Sequence, residues 1–118
     1  MSAATVHVDS NGDVVVARIA GEVDLSNAAD VGHQLAGSVP NRSLGLVIDL
    51  SDTSYLDSSG VSLVFHLAER LRRRQQRLRL VVPDGAPLRR VLGIVDVDGV
   101  VPIRATVDEA AADIRDGT

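Results

Sequence analysis

Leu46-Val47-Ile48-Asp49-Leu50-Ser51-Asp52-Thr53-Ser54-Tyr55-Leu56-Asp57-Ser58-Ser59-Gly60-Val61 is the stretch on which the fold turns. It opens as an apolar run from Leu44 to Leu50, bounded by turn residues, which predicts a strand buried on both faces. Ser51 to Ser58 is polar and reads as a loop. After Gly60, Val61, Val64, Phe65, Ala68 and Leu71 recur at spacings of three and four, with Ser62, Glu69, Arg70 and Arg73 elsewhere around the axis. The stretch is thus a strand, a loop and an amphipathic helix. In parallel α/β sheets this junction is where ligands and modifications usually sit.

Outward from it, the same two periods organise the rest. Towards the N-terminus, Val6 and Val8 alternate with Thr5, His7 and Asp9, at strand period. Ser10-Asn11-Gly12-Asp13 predicts a hairpin turn centred on Asn-Gly, followed by a β-branched strand from Val14 to Ala20 that Gly21 ends. Asp24 is placed as the N-cap of a helix over Leu25 to Ala36, stopped by Gly37, Pro40 and Asn41. Towards the C-terminus, Leu78, Leu80 and Val82 mark a further strand and Pro83-Asp84-Gly85 a turn. Pro87 to Leu92 reads as a short helix. Val100 to Ile103 reads as an edge strand, because Pro102 cannot donate to a ladder. Thr106-Val107-Asp108-Glu109 is a capping box for a last helix over Val107 to Ile114. The order β-β-α-β-α-β-α-β-α implies parallel strands joined by right-handed crossovers after an N-terminal hairpin. The expected fold class is therefore α/β: a single domain over residues 1–118, with a mixed, mostly parallel sheet and about four helices.

Composition narrows the function. The chain has 118 residues, 45% of them apolar and 24% charged, which excludes a disordered tail or a nucleoprotein arm. It has no cysteine, so disulfides and thiolate chemistry are excluded. All 12 basic residues are arginine, which removes a lysine Schiff base and a P-loop lysine. The net charge of −4 gives no global attraction to nucleic acid or anionic lipid. Tyr55 and Phe65 are the whole aromatic complement, too few for base stacking or for clamping a flat cofactor. No apolar stretch approaches the length of a membrane span, and Met1 to Thr5 shows no export signal. A cytoplasmic location, no cofactor and no direct nucleic-acid contact are expected.

Asp57-Ser58-Ser59-Gly60 lies where the first-turn N–H groups of a helix have no helical partner and the helix dipole is positive. The residues admit two readings. One is helix capping, a preferred use of Asp and Ser. The other is an exposed hydroxyl that accepts a phosphoryl group, whose oxygens those N–H groups could hold. A nucleophilic enzyme is disfavoured. The segment is not a Gly-x-Ser-x-Gly elbow, His66 lies about 12 Å along the helix axis, and neither His7 nor His33 is an evident base. The Asp96-x-Asp98-Gly99 segment lacks the rest of a calcium loop, so no metal is expected. The basic cluster Arg70, Arg72, Arg73, Arg74, Arg77 and Arg79 reads as a solvated helix end that complements the dipole, with a rim contact to an acidic partner as its functional alternative.

The pattern resembles the STAS domain of bacterial anti-sigma factor antagonists, along nearly the whole chain. Gly21-Glu22-Val23-Asp24 resembles the family's Gly-Glu-Leu-Asp signature. Leu46 to Leu50 resembles its central strand, and Tyr55 to Val61 its phosphorylation loop. Leu88-Arg89-Arg90-Val91-Leu92, Pro102-Ile103 and Asp108-Glu109-Ala110 fall where the family has its short third helix, its last strand and the start of its C-terminal helix. The resemblance implies a partner switch. The unphosphorylated protein binds an anti-sigma factor with serine kinase activity and releases the sigma factor. Phosphorylation of the first serine of the motif, here Ser58, ends binding, and a phosphatase resets it. Asp24, Asp57, Ser58, Ser59, Gly60 and Ser62 form the implied partner-binding set, with Asp24 beside the same site. Two positions depart from the family pattern. Val95-Asp96-Val97 replaces a Thr-Gly-Leu-like piece, so Asp96 has to fill a left-handed helix stop. Ser62 stands where Gly or Ala is frequent. The alternative use of such a domain is as an unphosphorylated subunit of a membrane transport complex or of another signalling assembly.

Overall fold

The computed structural model describes residues 3–117. Met1, Ser2 and Thr118 lie outside them, so part of the segment read for an export signal does too. The strands are β1 (Ala4–Asn11), β2 (Val14–Val23), β3 (Gly45–Asp49), β4 (Thr53–Leu56), β5 (Arg77–Val81) and β6 (Ile103–Arg104). The helices are α1 (Ala28–Gly37), α2 (Ser58–Arg73), α3 (Pro87–Ile94) and α4 (Val107–Asp116), with a 3₁₀ turn over Val97–Gly99. The sheet order is β1-β2-β3-β5-β6. The β1–β2 pair is antiparallel and every other pair is parallel, as the alternation predicts.

The run Leu46-Val47-Ile48 is 0–1% exposed because it is covered on both sides. Leu46 and Ile48 join the larger core beneath α1, α2 and α3, while Val47 faces Val14, Val81, Ala110, Ala111 and Ile114 under α4. This two-sided burial is what a continuous apolar strand requires.

Several boundaries differ from the sequence reading, each for a local reason. The hairpin turn is centred on Gly12-Asp13, since Asn11 pairs with Val14. Gly12 has φ +64, and among the turn residues it alone has positive φ, as a II′ turn requires. Gly21 does not end β2. It sits in the strand at φ +106, where the register shifts, and a Cβ there would lie 2.3 Å from the Ala3 carbonyl oxygen. Helix α1 starts three residues after the expected Leu25, which is 82% exposed. Asp24 is not its N-cap. Its carboxylate accepts from the N–H and hydroxyl of Ser26 (2.9 and 2.6 Å), which holds a turn over 25–27 instead. The edge strand is shorter than the expected Val100–Ile103, with Ile103 and Arg104 alone pairing with β5.

The largest correction is β4. The polar residues after Leu50 are not all loop: Thr53–Leu56 forms a parallel ladder with β2. β2 pairs first with β3, over Val14–Arg18, and then with β4, over Gly21–Val23. The chain leaves that edge at Leu50, turns, and rejoins it. Thr53 makes the return, its buried hydroxyl donating to the Ile19 carbonyl at 2.7 Å.

The arginine cluster is not one solvated patch. Arg79 points to the α4 side and is 6% exposed, donating to Asp113 at 2.9 Å, with Arg104 on the same carboxylate oxygen at 2.7 Å. Arg74 reaches the Val39 carbonyl and Arg77 that of Gly117. Arg72 donates to Glu69, an exposed hydrogen bond that holds the Glu69 carboxyl below its usual range. The expected left-handed stop is present, with Asp96 at φ 55.

Candidate functional site

Val23 and Leu56 are register partners at the carboxyl ends of β2 and β4. The residues that follow them, Asp24 and Asp57, therefore leave the sheet side by side, and the Asp57 N–H donates to the Val23 carbonyl at 3.2 Å. The structure thus brings Asp24 to the Asp57-Ser58 corner. Ser62 lies a turn further along α2, beside Ser59 in a shared trough.

Asp57 is extended (φ −93°, ψ −170°) and caps α2. Its Oδ1 accepts from the N–H groups of Ser59 (2.8 Å) and Gly60 (3.2 Å), and its carbonyl from that of Val61 at 3.0 Å. The helix consequently begins at Ser58 rather than after Gly60. The sequence reading left first-turn N–H groups open for an incoming anion, but the carboxylate next door already takes two of them. A negative charge at this end also complements the dipole.

Ser58 stands at the first helical position and is exposed. Among the described residues its hydroxyl makes no hydrogen bond. Ser59 and Asp57 are half-buried and Gly60 is buried. A Cβ on Gly60 would lie 2.5 Å from Leu56 Cδ1 and 2.7 Å from Leu56 Cγ, so this glycine lets the helix start press onto β4. The hydroxyl is carried on a rigid corner.

The sequence reading missed the apolar rim. Leu25 (82% exposed) follows β2, and Tyr55 (50%) lies on β4. Helix α3, which follows β5, exposes Val91 and Ile94 (78%), and Val95 just after it is exposed too. Leu25 and Tyr55 lie at the carboxyl ends of β2 and β4, which are register partners, and α3 packs against β4. The signal was present in Leu25, which falls outside the helical stripe once α1 is started at Ala28. Large apolar side chains left in water around a polar centre mark an interaction surface more than a core. Among the described residues no three His, Asp or Glu side chains are grouped to hold a metal ion, and no helix is long and apolar enough to cross a membrane.

Comparison with known proteins agrees with this fold. The anti-sigma-F factor antagonist RsfB of Mycobacterium tuberculosis is 30% identical over 114 residues, covering 96% of this chain and 91% of its own length. The crystal structure of an anti-sigma factor antagonist from Mycobacterium paratuberculosis superposes with a TM-score of 0.84 at 26% identity, over 96% of this chain and 95% of that one. The antagonist SpoIIAA in its unphosphorylated form shares the fold, with a TM-score of 0.71 at 22% identity over 97% of this chain and 98% of its own. The STAS domain family model matches residues 5–110. The chain belongs to the STAS domain family.

Proposed function

We propose that this protein is an anti-sigma factor antagonist that works by reversible docking and not by catalysis. Its unphosphorylated form binds an anti-sigma factor with serine kinase activity, and phosphorylation of Ser58 ends that binding until a phosphatase removes the group. The observation that carries the reading is the state of Ser58: exposed, its hydroxyl without a hydrogen bond among the described residues, and fixed on the corner beside Asp57. Two of the relatives just named are anti-sigma factor antagonists by name, which supports the antagonist part of it.

The switch follows from charge. A phosphoryl group adds about −1.5 to −2 charge and three acceptor oxygens. Asp57 already holds the N–H groups of Ser59 and Gly60, and Asp24 stands on the adjacent strand end. The new charge therefore meets repulsion and few donors. A partner that seats apolar side chains against Leu25 and Tyr55, at the same strand ends, would have to desolvate it. No rearrangement of the fold is required.

The test is binding of the cognate anti-sigma factor, followed by calorimetry, to wild type, Ser58→Ala and Ser58→Asp. Wild type and Ser58→Ala should bind alike, and Ser58→Asp should lose at least about 100-fold, or about 3 kcal/mol. Intact-mass analysis with the kinase and ATP should show a single phosphate on wild type and none on Ser58→Ala. Equal binding by Ser58→Asp refutes the switch. Co-purification with a transporter subunit in place of a kinase would favour the transport use of the domain.

A further inference from the structure

Between α1 and α2 lies an open trough of about 590 Å³, and it begins at Ser59 beside the site just described. Its α2 wall carries Ser59, Ser62, Leu63, His66, Arg70 and Arg73, at helical spacings of three and four. Fourteen residues of rise make it about 20 Å long. Its α1 wall is low because the side chains there are small: Ala28, Ala29, Gly32 and Ala36. At Gly32 the helices touch, since a Cβ would lie 2.7 Å from Leu63 Cδ1. The floor is apolar and narrow.

The charge in the trough runs against that of the molecule. The chain has a net charge of −4, yet the lining includes His33, His66, Arg70 and Arg73 and no carboxylate. Arg73 is partly neutralised by Glu69 at 3.4 Å. Among the described residues, His33, His66 and Arg70 have no acidic partner, and all three are exposed. The Arg70 charge and the two imidazoles therefore face outward, towards whatever lies in the trough.

A groove of this length between two helices fits a third helix, laid in by its apolar face. It is too open to enclose a small molecule, whose sites bury most of the ligand. We infer that the trough seats an amphipathic helix of the anti-sigma factor, apolar against Ala29, Gly32, Ala36 and Leu63 and acidic against His33, His66 and Arg70. This rests on the antagonist reading and extends the docking surface well beyond Ser58. The apolar contacts supply affinity, while Arg70 sets orientation and association rate and the histidine ring N–H groups offer donors to the acidic face. The arginine cluster thereby divides its work: Arg79 serves the fold, while Arg70 serves the partner.

The experiment measures affinity for the cognate anti-sigma factor at about 50 and about 300 mM salt, which moves the screening length from roughly 14 to 6 Å. The proteins are wild type, the double variant Arg70→Glu/His66→Glu, Ser58→Asp, and Arg42→Glu as a charge-reversal control on a loop outside the trough lining. Circular dichroism confirms that each is folded. The double variant should bind at least about tenfold more weakly at low salt and show a flatter salt dependence, with Arg42→Glu within about twofold of wild type. If the double variant binds like wild type while Ser58→Asp does not bind, the trough is not part of the interface and the antagonist reading stands. If Arg42→Glu weakens binding as much as the double variant does, the effect is general charge and the inference also fails. If wild type binds no anti-sigma factor, the antagonist reading itself is lost, and this inference with it.

Discussion

Replacing Asp57 by Ala removes the acceptor of two first-turn N–H groups and the negative charge at the positive end of α2. Loss of an N-cap costs about 1 kcal/mol, and the charge–dipole interaction contributes about another 0.5 kcal/mol at a half-exposed site. Together these give about 1.5 kcal/mol. For a chain of 118 residues the unfolding entropy is about 0.25 kcal/mol per kelvin, so Tm should fall by about 6 °C. Asp57→Asn keeps an oxygen acceptor and loses the charge, so it should fall by about 2 °C. Ser58→Ala removes no hydrogen bond made by the hydroxyl and should leave Tm within about 2 °C of wild type. Thermal unfolding by far-UV circular dichroism reads all three. Amide hydrogen exchange should accelerate at Ser59 and Gly60 in Asp57→Ala and not in Ser58→Ala. If Asp57→Ala melts within about 1 °C of wild type, or Ser58→Ala is the less stable of the two, the assignment of the cap to Asp57 is wrong.

Three further substitutions probe the scaffold. Gln75 follows α2 at φ 59 and closes a Schellman motif, with Gln76 N–H bonded to the Leu71 carbonyl and Gln75 N–H to that of Arg72, so Gln75→Gly should raise stability by about 1 kcal/mol in a urea titration. Gly45→Ala should abolish folding or cost more than about 3 kcal/mol, since its Cβ would lie 2.2 Å from the Arg77 carbonyl oxygen in the neighbouring strand, and a soluble variant with wild-type unfolding would contradict the close approach. Asp113→Ala strands Arg79 in the interior and should cost about 3 kcal/mol, whereas Arg79→Met with Asp113→Leu, which removes both charges, should recover most of that loss in the same titration.

The legible parts of the fold were those whose signal is local. The run through Leu46-Val47-Ile48 reports burial on both faces without help from any other residue, and Thr106 with Glu109 reports a cap from side chains three apart, its hydroxyl accepting the Glu109 N–H at 3.1 Å. The parts that were not legible depend on distant partners. β4 is a strand because its backbone and Thr53 find β2, more than thirty residues earlier, and nothing in Thr53-Ser54-Tyr55-Leu56 alone distinguishes it from loop. Arg79 is buried because Asp113 lies across from it, 34 residues on. In the site, the position of Ser58 at a helix mouth was readable from Asp57-Ser58-Ser59-Gly60. Which side chain does the capping was not, because Asp and Ser serve equally well there. The trough was hidden for a similar reason: His33 and His66 become neighbours of one channel when α1 packs on α2.

At the start of α2, architecture and chemistry fall on adjacent side chains. Asp57 holds the corner together, and Ser58 is released from any part in doing so. Under the proposed switch, a substitution such as Ser58→Ala would act on association while removing no hydrogen bond that holds the corner. On the proposed reading, the ratio of unmodified to phosphorylated protein would be set by the enzymes that interconvert them, so that a signal could be reversed without making the protein anew.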